Sequence, residues 1–223
     1  MHPGLASDVL LLAIDSRARY RTRGPVGVVV AAAELCESTL AGQPLPANGP
    51  SGSGGRAADL TRLLRDAAPT SVQRTAAPLV AAGAIAAYEH RVLGLFPRRG
   101  HTVTDAGWHA SAEHRLRSAL VPGARLDPGT AAFAVLCAVS GIARAVQPPP
   151  SDPAARHAIA SHLNALCGVV GPATAAVLDA TVAAYRRSDS GDGFVFVGTG
   201  HCYGDEGGDD GGGGDGGDGG GGD

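Results

Sequence analysis

"LVAAGAIAAYEHRVLGLFPRRGHTVTD", residues 79–105, is the stretch that decides the fold of this chain. It begins with apolar residues, runs through the short sequence PRRG at residues 97–100, and continues into a second stretch that suits a strand. A proline followed by a glycine at this spacing is typical of a turn between two strands. The segment therefore predicts a β-hairpin whose turn lies at residues 97–100.

The sequence on both sides of this hairpin predicts helices. Asp105, Asp127 and Asp152 each stand where an N-cap is expected, and the last two are followed by proline at the first helical position. Pro25 and Pro172 open further helical patterns. Two short helices are expected at 56–68 and 71–85, the second interrupted by proline, and one long helix from 127 to 146. The predicted fold is mainly α, a single globular helical domain with a central β-hairpin.

Charge and composition divide the chain into two parts. Residues 1–188 contain all 18 basic residues, every one an arginine, and twelve acidic residues, which gives a net charge of +6. Residues 189–223 contain nine acidic residues and no basic one. We expect a helical domain at 1–188 with a flexible linker at 42–56, followed by a disordered acidic Gly-rich tail at 189–223. The tail could weakly cover the basic body.

One apolar patch, "GFVFVG" at residues 193–198, interrupts this acidic tail. Two interpretations stay open: the patch docks as an added strand, or it makes no contact.

Signatures of enzymes and metal sites are missing from the sequence. It contains no P-loop, HExxH, GxSxG or kinase pattern, and the pairs His109/His114 and His157/His162 are spaced so that a helix turns the two rings to different faces. The four cysteines lack CxxC spacing and are typical of buried thiols in a reducing compartment. We therefore expect no enzymatic activity, no metal site and no cofactor.

Membrane contact, if there is any, is predicted to be peripheral. No signal peptide is recognisable at the N-terminus. The longest apolar run, residues 130–143, is too short to span a hydrocarbon core of about 30 Å.

The arginines are the remaining residues that indicate a binding function. Four of them alternate around Tyr20, at positions 17, 19, 21 and 23, just before a helix N-terminus that favours anions. A charge run is more often a solvated loop, so anion binding and a plain solvated loop both stay open. In the hairpin, Leu95 and Phe96 form an apolar wedge beside arginines at positions 91, 98 and 99. An apolar wedge with phosphate-facing charge suits a membrane interface or a nucleic-acid-binding wing.

Three stretches together resemble the Golgi phosphoprotein 3 family in the form of its bacterial members. They are "VLLLAIDSRARY" with the helix end "ELCESTLAGQ" after it, the hairpin segment quoted above, and the Ala-rich helices from 130 to 187. The resemblance covers nearly all of residues 8–187 apart from the linker.

This resemblance implies a mostly helical fold with a hairpin that inserts its apolar tip into membranes and supports oligomerisation. In eukaryotic members it further implies recognition of phosphatidylinositol 4-phosphate through a Trp and several basic residues, and an adaptor role that retains glycosyltransferases. No enzymatic activity is implied. Thr22 and Ala31 stand here at the places of the pocket Trp and Arg, and Arg74 is the cation kept near the second cluster.

We therefore predict a cytoplasmic adaptor that is peripheral to the cytoplasmic face of a membrane. Its expected partners are anionic phospholipid headgroups and protein clients, with a homo-oligomer left open. The predicted lipid-binding residues are Arg91, Arg98, Arg99, Leu95, Phe96, Arg21, Arg23 and Arg74.

The alternative is a winged-helix nucleic-acid binder, because residues 71–85 followed by an Arg-rich hairpin have the order of a recognition helix and a wing. That helix offers only Gln73 and Arg74 as polar readers, fewer than a major-groove helix uses. Nucleic acid is therefore the less favoured partner.

Overall fold

The computed structural model describes residues 4–15, 18–22, 24–45, 53–92 and 96–186. These residues form eight helices and one two-stranded antiparallel sheet, so the predicted mainly α fold with a hairpin is confirmed. In chain order the elements are α1 Leu5–Ala13, α2 Val26–Leu40, α3 Ser53–Ala81, β1 Ile85–Val92, β2 Phe96–Val103, α4 Ala106–Ala119, α5 Pro128–Val139, α6 Ile142–Val146, α7 Pro153–Cys167 and α8 Pro172–Arg186. The predicted tail lies outside the described residues.

Three helices form the centre of the core. In α5 every residue from 131 to 137 is buried, and α1 and α2 are buried along most of their length. A helix that is apolar around its whole circumference must be enclosed by other elements. Here α3, α4, α7 and α8 supply that enclosure, and Phe133 on α5 is among the largest fully buried side chains.

One charged pair joins the core helices. Asp8 on α1 is only 1% exposed, and Arg115 on α4 donates to its carboxylate at 2.7 Å. The same guanidinium donates to the Thr130 hydroxyl at 3.1 Å and lies 5.0 Å above the Phe133 ring. Because a buried carboxylate needs a partner, this contact fixes α4 against α1 and α5.

The predicted N-caps are confirmed. The Asp105 side chain accepts from the amides of Gly107 and Trp108 at the start of α4, and Asp127 and Asp152 cap α5 and α7 in the same way. These contacts are local, so the sequence alone specifies where these helices begin.

The two short helices predicted at 56–68 and 71–85 are one helix, α3, which continues through Pro69 and Pro78 and also takes in the last four residues of the predicted linker. Interior prolines cost a backbone hydrogen bond, so tertiary packing must compensate. The contact with α2 is unusually close at this point: a Cβ on Gly27 would collide with the Ala68 carbonyl oxygen, next to Pro69. Residues 46–52 of the predicted linker lie outside the described residues.

The single helix predicted from 127 to 146 is also corrected, because it breaks into α5 and α6. Gly141 has φ +82°, a left-handed conformation that glycine adopts without strain, and the preceding Ser140 hydroxyl donates to the Leu136 carbonyl. The chain therefore turns sharply at the end of α5.

The predicted hairpin is present, but its turn is not at residues 97–100. Those residues lie inside β2, where Pro97 pairs with Arg91 and Gly100 pairs with Tyr88. The strands are joined by residues 93–95, which are not described. Proline has no N–H to donate, and it is tolerated near the start of an edge strand. The turn-like PRRG sequence is therefore compatible with a strand.

Candidate functional site

The Arg-rich segment between α1 and α2 folds into a tight loop. Ile14 and Tyr20 form a β-bridge, and the Asp15 carboxylate accepts from the Arg19 amide at 2.7 Å. Ala18 has φ +57°, the one non-glycine residue with positive φ in the described chain. Residues 14, 15 and 18–22 are called the basic loop below.

Two tyrosines attach the basic loop to the hairpin. The Tyr88 hydroxyl on β1 donates to the Ala18 carbonyl at 2.6 Å, and the Tyr20 hydroxyl lies 3.2 Å from Nδ1 of His101 on β2. Tyr88 reaches the loop by crossing Gly100, where an added Cβ would lie 2.5 Å from its hydroxyl oxygen. Burial, and then the nearby Tyr88, raise the pKa of Tyr20. The basic loop and the two strands are called the hairpin–loop surface below.

Two histidines with a lowered pKa lie where β2 is followed by α4, and two arginines affect one of them. Burial lowers the pKa of His109 on α4, and the charges of Arg21 and Arg117 lower it further, against the opposing effect of Glu113. Burial also lowers the pKa of His101. Burial is the main cause of the lowered pKa of His109, and the Arg21 charge contributes less.

The predicted site residues on the hairpin occupy defined backbone positions. Arg91 lies on β1, and Phe96, Arg98 and Arg99 lie on β2, with Arg98 opposite His90 and Arg99 opposite Glu89. The side chains of these residues, together with Leu95 and Arg23, lie outside the described part of the structure. The structure therefore brings the backbone of the hairpin arginines and the loop that carries Arg21 to one region.

Arg74 lies elsewhere, on α3. Its guanidinium forms two hydrogen bonds with the Glu34 carboxylate on α2, one of them at 3.0 Å, and the Thr75 hydroxyl donates to the same carboxylate. The segment that the nucleic-acid alternative takes as a recognition helix thus uses its arginine to join α3 to α2. An anion at Arg74 would have to compete with Glu34.

The two positions aligned with the family's pocket Trp and Arg supply neither an aromatic ring nor a charge. The Thr22 hydroxyl donates to the Gly24 carbonyl at 2.7 Å, which stabilises the approach to α2. Ala31 is 1% exposed and packs inside the core.

The sequence did not point to Tyr88 or His101, and it noted Tyr20 only as the centre of the arginine run. Their contacts join residues 70 and 81 positions apart, so no local pattern reveals them. A tyrosine within a strand is ordinary, and only the fold shows that its hydroxyl reaches a loop.

Within the described ranges, no helix combines the length and the apolarity that a membrane span requires. In the same residues, no three His, Cys, Asp or Glu side chains are grouped to hold a metal ion. Cys36, Cys137 and Cys167 are buried, as predicted, and burial raises the pKa of Cys36 to about 12. Cys202 lies outside the described residues.

The described residues define a class of protein: a helical domain built around buried α5, with one β-hairpin held to a basic loop. The chain belongs to the Golgi phosphoprotein 3 (GPP34) family, which it matches over residues 51–183, more than half of its length. The matched range contains both strands and most of the helices, whereas α1, α2 and the basic loop precede it. No curated protein matches the chain.

Proposed function

We propose that this protein is a peripheral membrane adaptor that binds anionic phospholipid through the hairpin–loop surface. The observation that carries the proposal is the attachment of the basic loop to the hairpin by Tyr88 and Tyr20. That attachment holds the loop that carries Arg21 against the two strands whose backbone carries Arg91, Arg98 and Arg99. Family membership supports the same conclusion, because the family is one of lipid-binding, non-enzymatic adaptors.

The electrostatic attraction expected of these arginines would raise the affinity for an anionic membrane substantially. A basic residue near an anionic membrane contributes roughly 1 kcal/mol, so Arg91, Arg98 and Arg99 together supply about 3 kcal/mol, or roughly a 100-fold gain in affinity. Leu95 and Phe96 would add apolar contact at the acyl boundary. Binding of this kind is reversible and is weakened by salt.

Recognition is proposed to depend on negative charge more than on one headgroup. Thr22 and Ala31 offer neither an aromatic ring nor a cation at the pocket positions of the family, and Arg74 is bonded to Glu34. Several anionic phospholipids should therefore bind similarly, and phosphatidylinositol 4-phosphate should have only the advantage of its higher charge. The protein side of the adaptor is proposed to engage clients on the cytoplasmic face of the membrane.

Vesicle flotation tests this proposal. The wild-type chain should float with vesicles of phosphatidylcholine plus phosphatidylserine and stay behind with phosphatidylcholine alone. The triple variant Phe96→Ala, Arg98→Ala, Arg99→Ala should lose most of that binding. A matched control, Arg62→Ala, Arg65→Ala, Arg125→Ala, removes three arginines elsewhere and should retain it. If the hairpin variant binds as the wild type does, the hairpin is not the membrane contact.

A further inference from the structure

A second surface of the molecule is an apolar groove at the junction of α5 and α6. The groove is open to solvent, and the space between its atoms, open mouth included, is about 590 Å³. The apolar part of its lining is Leu120, Ala138, Ala143, Ile159, Leu163 and the run Pro148, Pro149, Pro150. None of these residues belongs to the hairpin–loop surface.

Two arginines lie in the lining of this groove. Arg144 on α6 and Arg156 on α7 are both exposed, no acidic residue lines the groove, and neither guanidinium has an ion-pair partner among the described residues. An occupant that matches the groove would combine apolar side chains with negative charge.

The chain itself contains a segment of this composition. Residues 194–197 read FVFV, two of the tail's nine acidic residues precede them, and the other seven follow between 205 and 223. No other stretch of the tail is apolar. The groove and the tail are thus complementary both in apolar surface and in charge.

The tail is long enough to reach the groove. The last described residue is Arg186, at the end of α8, and eight residues further on lies Phe194. Eight extended residues span about 26–29 Å. Both α7, which lines the groove, and α8 pack on α5. Since packed helix axes lie about 8–10 Å apart, those of α7 and α8 are within about 20 Å. The end of α8 and the groove also lie at the same end of α5, because Tyr185 donates to the Pro25 carbonyl at the start of α2, whereas Gly129 at the start of α5 lies beside Leu40 at the end of α2.

We infer that residues 194–197 occupy this groove in the same molecule, with Phe194 and Phe196 against its apolar lining and the acidic residues around them near Arg144 and Arg156. Tethering favours the chain's own segment over a free partner, because a short covalent link holds it at a local concentration in the millimolar range. The groove is then an intramolecular docking site that anchors the tail to the helical body.

A paramagnetic label on Cys202 tests this inference in the full-length chain. The other three cysteines are buried, so a nitroxide reagent should react at Cys202. In isotope-enriched protein the label should broaden the amide signals of α6 and the start of α7. Phe194→Ala with Phe196→Ala should abolish this broadening, and Tyr203→Ala, an aromatic truncation in the same tail, should leave it unchanged.

Charge reversal tests the groove side. Arg144→Glu with Arg156→Glu should weaken the broadening, whereas Arg65→Glu with Arg125→Glu, the same charge change elsewhere, should not. The inference is overturned if wild-type groove amides are unaffected, if the Phe194/Phe196 variant behaves as wild type, or if β1 and β2 are broadened instead. It is also overturned if labelled chains broaden the groove of separate enriched Cys202→Ser chains equally, since a second copy would then be the occupant.

Discussion

The interior around α5 and the hairpin–loop surface are held together in different ways. Residues 131–137 of α5 are all buried, so many redundant apolar contacts stabilise the interior. The basic loop is held to the hairpin by two tyrosine hydroxyls. Stability and membrane binding should therefore be separable, because the first depends on burial and the second on a few polar contacts and charges.

The largest expected effect compares two phenylalanines. Phe133→Ala removes a fully buried ring and should lower the free energy of unfolding by about 3–5 kcal/mol, as measured in urea. Phe96→Ala should change stability far less but should weaken vesicle binding. A comparable loss of stability in both variants would show that Phe96 is part of the core, and the proposed separation would fail.

A second comparison deletes one oxygen atom from each region. Tyr88 donates to the Ala18 carbonyl in the hairpin–loop surface, and Tyr185 donates to the Pro25 carbonyl at the end of α8. Tyr88→Phe and Tyr185→Phe should each lower the free energy of unfolding by about 1 kcal/mol. Only Tyr88→Phe should also weaken flotation with anionic vesicles. Equal flotation of the two variants would show that loop attachment does not matter for binding.

Local chemistry explains which parts of the fold could be predicted from sequence. The caps at Asp105, Asp127 and Asp152 are formed by residues within three positions of one another, so reading the sequence locates them. The continuity of α3 could not be read in this way. α3 packs closely on α2 beside Pro69, where Gly27 leaves room for the Ala68 carbonyl, and no local pattern in the sequence reveals that contact.

The candidate site was predicted less completely than the fold. Arginine patterns identified the basic loop and the hairpin separately, but the contacts that join them are made by Tyr20, Tyr88 and His101 across 70 to 81 residues. Arg74 was grouped with the other arginines on sequence grounds, yet its partner is Glu34. The turn was placed at PRRG, whereas the register pairs Gly100 with Tyr88.

A smaller effect concerns the backbone of the basic loop. Ala18 has φ +57°, a conformation that costs an alanine roughly 1–2 kcal/mol and glycine almost nothing. After the added flexibility of the unfolded chain is subtracted, Ala18→Gly should stabilise the protein by up to about 1 kcal/mol. Ala110→Gly, at an exposed position of α4, should destabilise it by about 0.5–1 kcal/mol. Thermal unfolding should show a higher stability for Ala18→Gly and a lower one for Ala110→Gly. A lower stability of both variants would exclude strain at Ala18.

The smallest effect is a pH dependence of the hairpin–loop surface. Burial lowers the pKa of His101 and His109 below the ordinary histidine value, so the folded protein favours neutral rings. Stability should therefore fall as the pH drops below about 6.5, since the unfolded chain then binds more protons. Binding to anionic vesicles should strengthen over the same range, because phosphate favours the charged rings.

Both pH effects should be measured with urea unfolding and flotation between about pH 5 and 8. His101→Gln with His109→Gln should flatten both profiles, and His157→Gln, at an exposed position of α7, should not. If the pH dependence of stability and of vesicle binding is the same in the double variant as in the wild type, groups other than these two histidines are responsible for it.

The most direct measurement places an environment-sensitive fluorophore at the hairpin tip. Leu95→Cys in a Cys202→Ser background carries the dye, and Ser118→Cys, at an exposed position of α4, carries the control dye in the same background. With phosphatidylserine-containing vesicles, emission at position 95 should shift to the blue and emission at position 118 should not. No shift at position 95, or equal shifts at both positions, would contradict the claim that the hairpin–loop surface meets the membrane.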